Sequence, residues 1–175
     1  MKNIILVGFM GSGKTTIAFE LSRRFNMSYI STDDLIEKRE KCTINEIFTK
    51  KGEEYFRNVE VEAVRDACSM KNVVIDLGGG AVMRDENWES IRLSGVAVCL
   101  TADENTIMER TKKYKHRPLL NVEDPKQKIR NLMAKRAPFY AKADHCVDTG
   151  KLTVKQAVEK IAEIVEEHSR KAGGE

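Results

Sequence analysis

Residues 8–15 read Gly-Phe-Met-Gly-Ser-Gly-Lys-Thr, and they constrain the chain more than any other stretch. A short apolar run, Ile4 to Val7, enters this segment. An amphipathic stretch, Thr15 to Phe25, leaves it, with Ile17, Leu21 and Phe25 four residues apart. Strand, glycine-rich turn, lysine, hydroxyl and helix follow one another in the order that the pattern Gly-x-x-x-x-Gly-Lys-[Ser/Thr] requires. The glycines let successive backbone N–H groups converge on phosphate oxygens, and the helix adds the positive end of its dipole. Gly11, Ser12, Gly13, Lys14, Thr15 and Thr16 are therefore the expected nucleotide-binding residues. Lys14 should reach the β and γ phosphates of ATP, and the Thr15 hydroxyl should ligate Mg²⁺.

Further apolar runs recur at Tyr29 to Ile30, Val73 to Leu77, Val96 to Leu100 and, more weakly, His145 to Val147, separated by segments of helical length. They are apolar on consecutive residues, as strands covered by helices on both faces are. The expected fold is a three-layer α/β/α domain with a parallel sheet of about five strands. At 175 residues, 41% hydrophobic and 33% charged, the chain has the size and composition of one soluble globular domain, spanning residues 1–175. The net charge of +3 is spread among abundant acids and argues for no nucleic-acid partner. The opening apolar run is too short for a signal peptide or a membrane span, so a cytosolic monomer is expected. Cysteines 42, 68, 99 and 146 are scattered, with no metal-ligand spacing, and read as reduced thiols.

Thr43 with Glu46 and Thr153 with Gln156 fit the capping-box pattern and mark helix starts, the second running on through Val158, Ile161, Ile164 and Val165. Arg170 to Glu175 is expected to fray. Asp33 to Met70 and the basic, then acidic, Lys112 to Asp124 stand outside the strand and helix rhythm; the first is expected to be a helical insertion and the second a working loop. Val73-Val74-Ile75-Asp76 is an apolar strand ending in a carboxylate, the form of a Walker B segment whose Asp holds Mg²⁺ or one of its waters. Gly78-Gly79-Gly80 follows at the carboxyl end of a strand, where ligands of parallel sheets bind.

The phosphate loop fixes the donor and leaves the acceptor open. Asp33, Phe48, Gly52-Glu53, Phe56-Arg57 with Glu60, Gly78-Gly79-Gly80-Ala81-Val82, Arg117-Pro118-Leu119-Leu120 and Arg136-Ala137-Pro138-Phe139-Tyr140 accompany it. In this order the set closely resembles the shikimate kinases over nearly the whole chain. The resemblance implies a strand order of 23145, a substrate subdomain at about residues 32–62, a lid at about 112–124, and phosphorylation of the shikimate 3-hydroxyl in aromatic amino acid biosynthesis. It implies that Arg57 and Arg136 bind the substrate carboxylate and that Asp33 holds the reacting hydroxyl, as hydrogen-bond acceptor or general base. Gly78, Gly79 and Gly80 would meet substrate hydroxyls, Phe48 and Phe56 would wall the ring, and Glu60 would brace an arginine. Arg117 would reach the transferring phosphoryl group, and Arg110 would stack on adenine.

One departure stands out. The family's Asp-x-Asp after the second strand is here Ser31-Thr32-Asp33, so the metal-side carboxylate is missing while Asp76 adds one at a neighbouring strand end. Asp76 is expected to support Mg²⁺ through a bound water, beside Thr15 as direct ligand. A nucleoside monophosphate or gluconate-type kinase, or a nucleotide-dependent switch without kinase activity, shares the phosphate loop. Neither accounts for the arginine and glycine set.

Overall fold

The structure is a computed structural model that describes residues 2–112 and 124–172. Its order is β1 (Asn3–Gly8), α1 (Lys14–Phe25), β2 (Ser28–Ser31), α2 (Thr32–Glu40), α3 (Ile44–Ser69), β3 (Val73–Asp76), α4 (Asp85–Ser94), β4 (Gly95–Thr101), α5 (Glu104–Thr111), α6 (Pro125–Tyr140), β5 (His145–Asp148) and α7 (Val154–Ala172). The five strands form one parallel sheet in the order β2-β3-β1-β4-β5. Each expected strand is present within a residue or two of its reading.

β1 is central because every one of its residues is buried. Alternate side chains feed opposite layers, as the pleat requires. Ile4 and Leu6 pack with Ile17 and Leu21 of α1 and with Val158, Ile161 and Val165 of α7. Ile5 and Val7 face Val64 and Ala67 of α3 and Trp88 and Ile91 of α4. Removing a large side chain such as Leu21 or Ile161 from these layers would cost about 2–5 kcal/mol. The register brings the ends of four strands together: Leu6 and Ser31 both pair with Asp76, and Gly8 pairs with Leu100.

The insertion that begins at Asp33 is built of two helices, α2 and α3, in keeping with its reading as a helical insertion. α2 starts on Ser31, whose Oγ accepts from the Asp34 N–H at 3.1 Å. The Thr43 capping box opens α3 as expected, a device worth about 1 kcal/mol. Gly52 breaks α3 internally with φ 82°, a left-handed conformation that costs glycine little. These helices bury Ile36, Ile47, Phe56, Val59 and Ala63 against one another and form a small core of their own beside the sheet. Gln156 and Thr153 cap α7 reciprocally, and that helix runs on through Ala172 rather than fraying from Arg170.

Candidate active site

The phosphate loop lies at the carboxyl end of β1. Gly11 and Gly13 turn through positive φ, 78° and 95°, and α1 begins at Lys14. Lys14 is buried, and its Nζ donates to the carbonyls of Gly8 at 3.0 Å and Phe9 at 3.4 Å. Thr15 and Thr16 are exposed at the first turn of α1. The Thr15 hydroxyl donates to Oδ2 of Asp76 at 2.6 Å, which leaves the hydroxyl oxygen's lone pairs directed elsewhere. Burial raises the Asp76 carboxyl from its usual range, opposed by the Lys14 charge and by the Thr15 hydroxyl. A cation beside the pair would restore the carboxylate, so these two residues suit Mg²⁺.

A hollow of about 500 Å³ opens on one side of the loop, lined by Gly11, Ser12, Gly13, Thr16, Arg110 and Thr149 among others. Thr149 was not singled out from the sequence, yet it ties this region together. Its Oγ1 donates to the Ser12 carbonyl at 2.8 Å, and its own carbonyl accepts from Arg110 Nη2 at 2.9 Å. Arg110 also donates to the Gly11 carbonyl at 3.3 Å. The guanidinium thus stands at the rim of the hollow, fixed to the loop by its edge. A Thr-Gly pair after the last strand is the only local signal that Thr149 offers.

On the other side lies a cleft of about 400 Å³, the volume of a small-molecule site. Asp33, Phe48, Phe56, Arg57, Glu60 and Arg136 all line it, with Gly78, Gly79 and Gly80 as its floor. Each glycine faces charged groups of the cleft. A Cβ on Gly78 would stand 2.6 Å from Asp33 Oδ1 and 3.1 Å from Glu60 Oε1, and one on Gly80 would stand 2.5 Å from Arg57 Nη1. Gly79 offers its carbonyl to Arg136 Nη1 at 3.2 Å and to the Tyr140 hydroxyl at 2.7 Å. Gly78 and Gly80 are thus a matter of close approach: side chains there would displace the charged groups.

Arg57 and Glu60 are a buried pair, 8% and 1% exposed, joined at 2.7 Å; they are not a surface salt bridge. Burial pushes the Glu60 carboxyl up to about 7, against the pull of Arg57. Burial also works against the Arg57 charge, but Glu60 and Glu53 hold its guanidinium above the usual arginine range. Glu53, one turn before Arg57, is a partner that sequence reasoning quoted without assigning a role. Arg136 is 4% exposed, its guanidinium 5.5 Å from the centre of the Phe9 ring, and its Nε has no hydrogen-bond partner among the described residues. A buried donor left open at a cleft is a place for an anion. Phe48 and Phe56 stack at 4.6 Å between ring centres and serve both the cleft wall and the small core beneath it. Thr32, also overlooked, bridges the Asp76 carbonyl and the Gly78 N–H through its hydroxyl, fixing the start of α2 against the end of β3. Arg117 and the lid stretch around it lie outside the described residues, apart from Lys112 and Asp124 at its ends.

A parallel sheet of this order, with a phosphate loop between a nucleotide-sized hollow and a charged cleft, defines the class: a P-loop small-molecule kinase. The family model described as shikimate kinase matches residues 10–166. Shikimate kinases of Thermodesulfovibrio yellowstonii and Caldanaerobacter subterraneus are each 44% identical to the chain, the first over 99% of both sequences, the second over 92% of this chain and 94% of the relative. The solved structure of shikimate kinase from Acinetobacter baumannii in complex with shikimate superposes with a TM-score of 0.92 at 34% identity, covering 96% of this chain and 94% of that one. That of Aquifex aeolicus gives 0.84 at 36% identity, covering 95% and 98%. The chain belongs to the shikimate kinase family, phosphotransferases acting on an alcohol group of shikimate.

Proposed function

We propose that this chain carries the γ-phosphoryl group of ATP to the 3-hydroxyl of shikimate through the residues of these two adjoining sites, giving shikimate 3-phosphate and ADP. The observation that carries the reading is the convergence of Arg57 and Arg136, from α3 and α6, on Gly80 and Gly79 beside Asp33. Two planar guanidinium groups at one end of the cleft suit a carboxylate, and Asp33 then meets a hydroxyl of the same ring. Phosphoryl transfer asks the protein mainly for placement and charge, and Lys14, held on the loop, would meet the phosphates that the hydroxyl attacks. Arg110 would border the adenine, and Arg117, from its place in the sequence, would reach the transferring group.

Mg²⁺ would be held by the Thr15 hydroxyl oxygen, with Asp76 behind it, and when bound it would offset charge on the β and γ phosphates. Thr15 can ligate with a lone pair while its hydroxyl proton points at Asp76, which supports Asp76 as the replacement for the carboxylate that Ser31 lacks. Ser31 is committed to capping α2. Asp76→Asn is therefore expected to raise the Mg²⁺ concentration for half-maximal turnover about tenfold, the scale of lost outer-sphere support. An unchanged Mg²⁺ titration would remove Asp76 from the metal site.

The function itself is tested by ADP release in a coupled assay with shikimate, gluconate and nucleoside monophosphates offered separately. Turnover with shikimate alone is expected. Turnover with another acceptor at equal or greater efficiency would overturn the assignment. We place the protein in the cytosol as a monomer. In support, no described helix is long and apolar enough to cross a membrane, and the exposed apolar side chains Phe19, Tyr55, Leu93 and Val154 sit on separate helices.

A further inference from the structure

A third cavity, of about 420 Å³, lies apart from the cleft and the hollow, between the ends of β4 and β5 and the inner face of α6. Its walls are mostly apolar, from Phe9, Ala102, Met133, Ala137 and Tyr140, and it contains two of the four cysteines. Cys99 and Cys146 are register partners on adjacent parallel strands. They point to one face: Cys99 belongs to the layer opposite α7, whereas Val147, next to Cys146, packs towards α7. The two side chains are close enough for each to act on the other's charge. Directly paired residues on neighbouring strands stand about 4.8 Å apart, inside the span of about 4.4–6.8 Å that a disulfide bridges. Cys42 packs against the small core of α2 and α3, and Cys68, on the same layer as Cys99, neighbours Ser94 at the end of α4.

We propose that Cys99 and Cys146 are an oxidative modification site, a dithiol that a peroxide converts to an intramolecular disulfide and whose oxidation weakens nucleotide binding. The two cysteines differ in exposure in the way such a reaction needs. Cys146 is exposed and meets the oxidant, while Cys99 is buried at 1% beside it. Burial, and then the neighbouring Cys146, push the Cys99 thiol up to about 12, so it stays protonated and does not itself attack free peroxide. In the first step the Cys146 sulfur attacks one peroxide oxygen. The O–O bond breaks, and the departing hydroxide leaves as water with the thiol proton, giving a sulfenic acid. The Cys99 sulfur then attacks the Cys146 sulfur, the S–O bond breaks, and the leaving hydroxide takes the Cys99 proton as a second water. Each sulfur loses one electron, and the peroxide gains both.

The link to nucleotide runs along the same two strands. Beyond Cys99, β4 reaches Thr101, and beyond Cys146, β5 runs into Thr149. The Thr149 N–H donates to the Thr101 carbonyl at 2.8 Å. Thr149 is also the residue that holds Ser12 and Arg110. A covalent bridge two residues before Thr101 and three before Thr149 would reset the spacing of the strand ends on which the nucleotide hollow is built.

The test treats the full chain with hydrogen peroxide under native conditions, alkylates the remaining thiols in denaturant and maps the peptides by mass spectrometry. A Cys99–Cys146 cross-linked peptide is expected, with Cys42 and Cys68 alkylated. ADP binding by calorimetry, a readout independent of the acceptor, is expected to weaken several-fold on oxidation and to recover with dithiothreitol. Cys146→Ser, at an exposed position outside the catalytic machinery, should keep basal turnover and ADP affinity and lose the response to peroxide. Cys99→Ala should leave a sulfenic acid on Cys146 that dimedone captures. Recovery of Cys99 as a free thiol after oxidation, or a cross-link through Cys42 or Cys68, would overturn the site. A correct cross-link with unchanged ADP affinity would overturn its coupling to the nucleotide.

Discussion

Asp33→Asn is expected to lower kcat by about 10²- to 10⁴-fold, the range for removing a positioned proton acceptor, with little change in melting temperature. The side chain stands in the first turn of α2 and is exposed, so the amide substitution removes no core contact. The loss of a negative charge from a helix N-terminus costs about 0.3–1 kcal/mol. The catalytic effect is far larger because the amide keeps the shape and loses both the charge that orients the acceptor hydroxyl and the capacity to take its proton. Asp33 Oδ1 lies close over Gly78, next to the pair formed by Glu60 and Arg57, so the group, though exposed, faces the cleft. The decisive measurement is the split between constants. A fall in kcat at nearly constant KM for shikimate marks an interaction made in the transition state, whereas a rise in KM at constant kcat would show that Asp33 only binds.

The parts of this molecule readable in the sequence are those whose determinants are local. The phosphate loop needs residues 8–15 and their flanks, and the strands declare themselves because both faces are covered, which makes Ile4 to Val7 or Val96 to Leu100 apolar throughout. Only the start of α3 was marked in the sequence, and the extents of α2 and α3 were not, for a physical reason. Their apolar residues, Ile36, Ile47 and Phe56, serve a separate small core with a short stripe, and Gly52 shifts the phase of the stripe midway. The spacing of Arg57 and Glu60 was legible, but their burial depends on Gly80 and Gly78 coming beneath them from β3. The grip of Thr149 on Ser12 joins residues 137 apart and has no counterpart in any local pattern. Family resemblance named the residues proposed as the clamp. Only topology shows the close approach of Arg57 to Gly80 and of Arg136 to the Gly79 carbonyl.

Arg136→Ala should raise KM for shikimate about 100-fold, since a hydrogen bond to a charged group is worth about 1.5–3 kcal/mol and the truncation also leaves partners unpaired. Nearly all of Arg136 is buried, and its contacts with the Gly79 carbonyl and the Phe9 ring fix its direction into the cleft. ATP affinity should hold, because the nucleotide hollow is built from Thr149, Arg110 and the loop backbone. Arg136→Lys should recover only a small part of the loss: an ammonium keeps the charge and gives up the planar fork. A second effect follows from Glu60, which Arg136 helps to keep ionised. Its folded-state carboxyl lies above its ordinary 4.5, at about 7, so its contribution to stability is complete below 4.5 and is lost as pH rises through 7. Without Arg136 the folded-state value moves higher still, and the decline in melting temperature with rising pH should steepen and extend further above neutrality. Glu60→Gln should flatten that slope in both backgrounds. If Arg136→Ala changed KM but left the pH slope as it was, Arg136 would be a substrate contact electrically separate from Glu60. If it changed the slope and left KM unmoved, it would be a brace for the cleft, and Arg57 would hold the carboxylate without it.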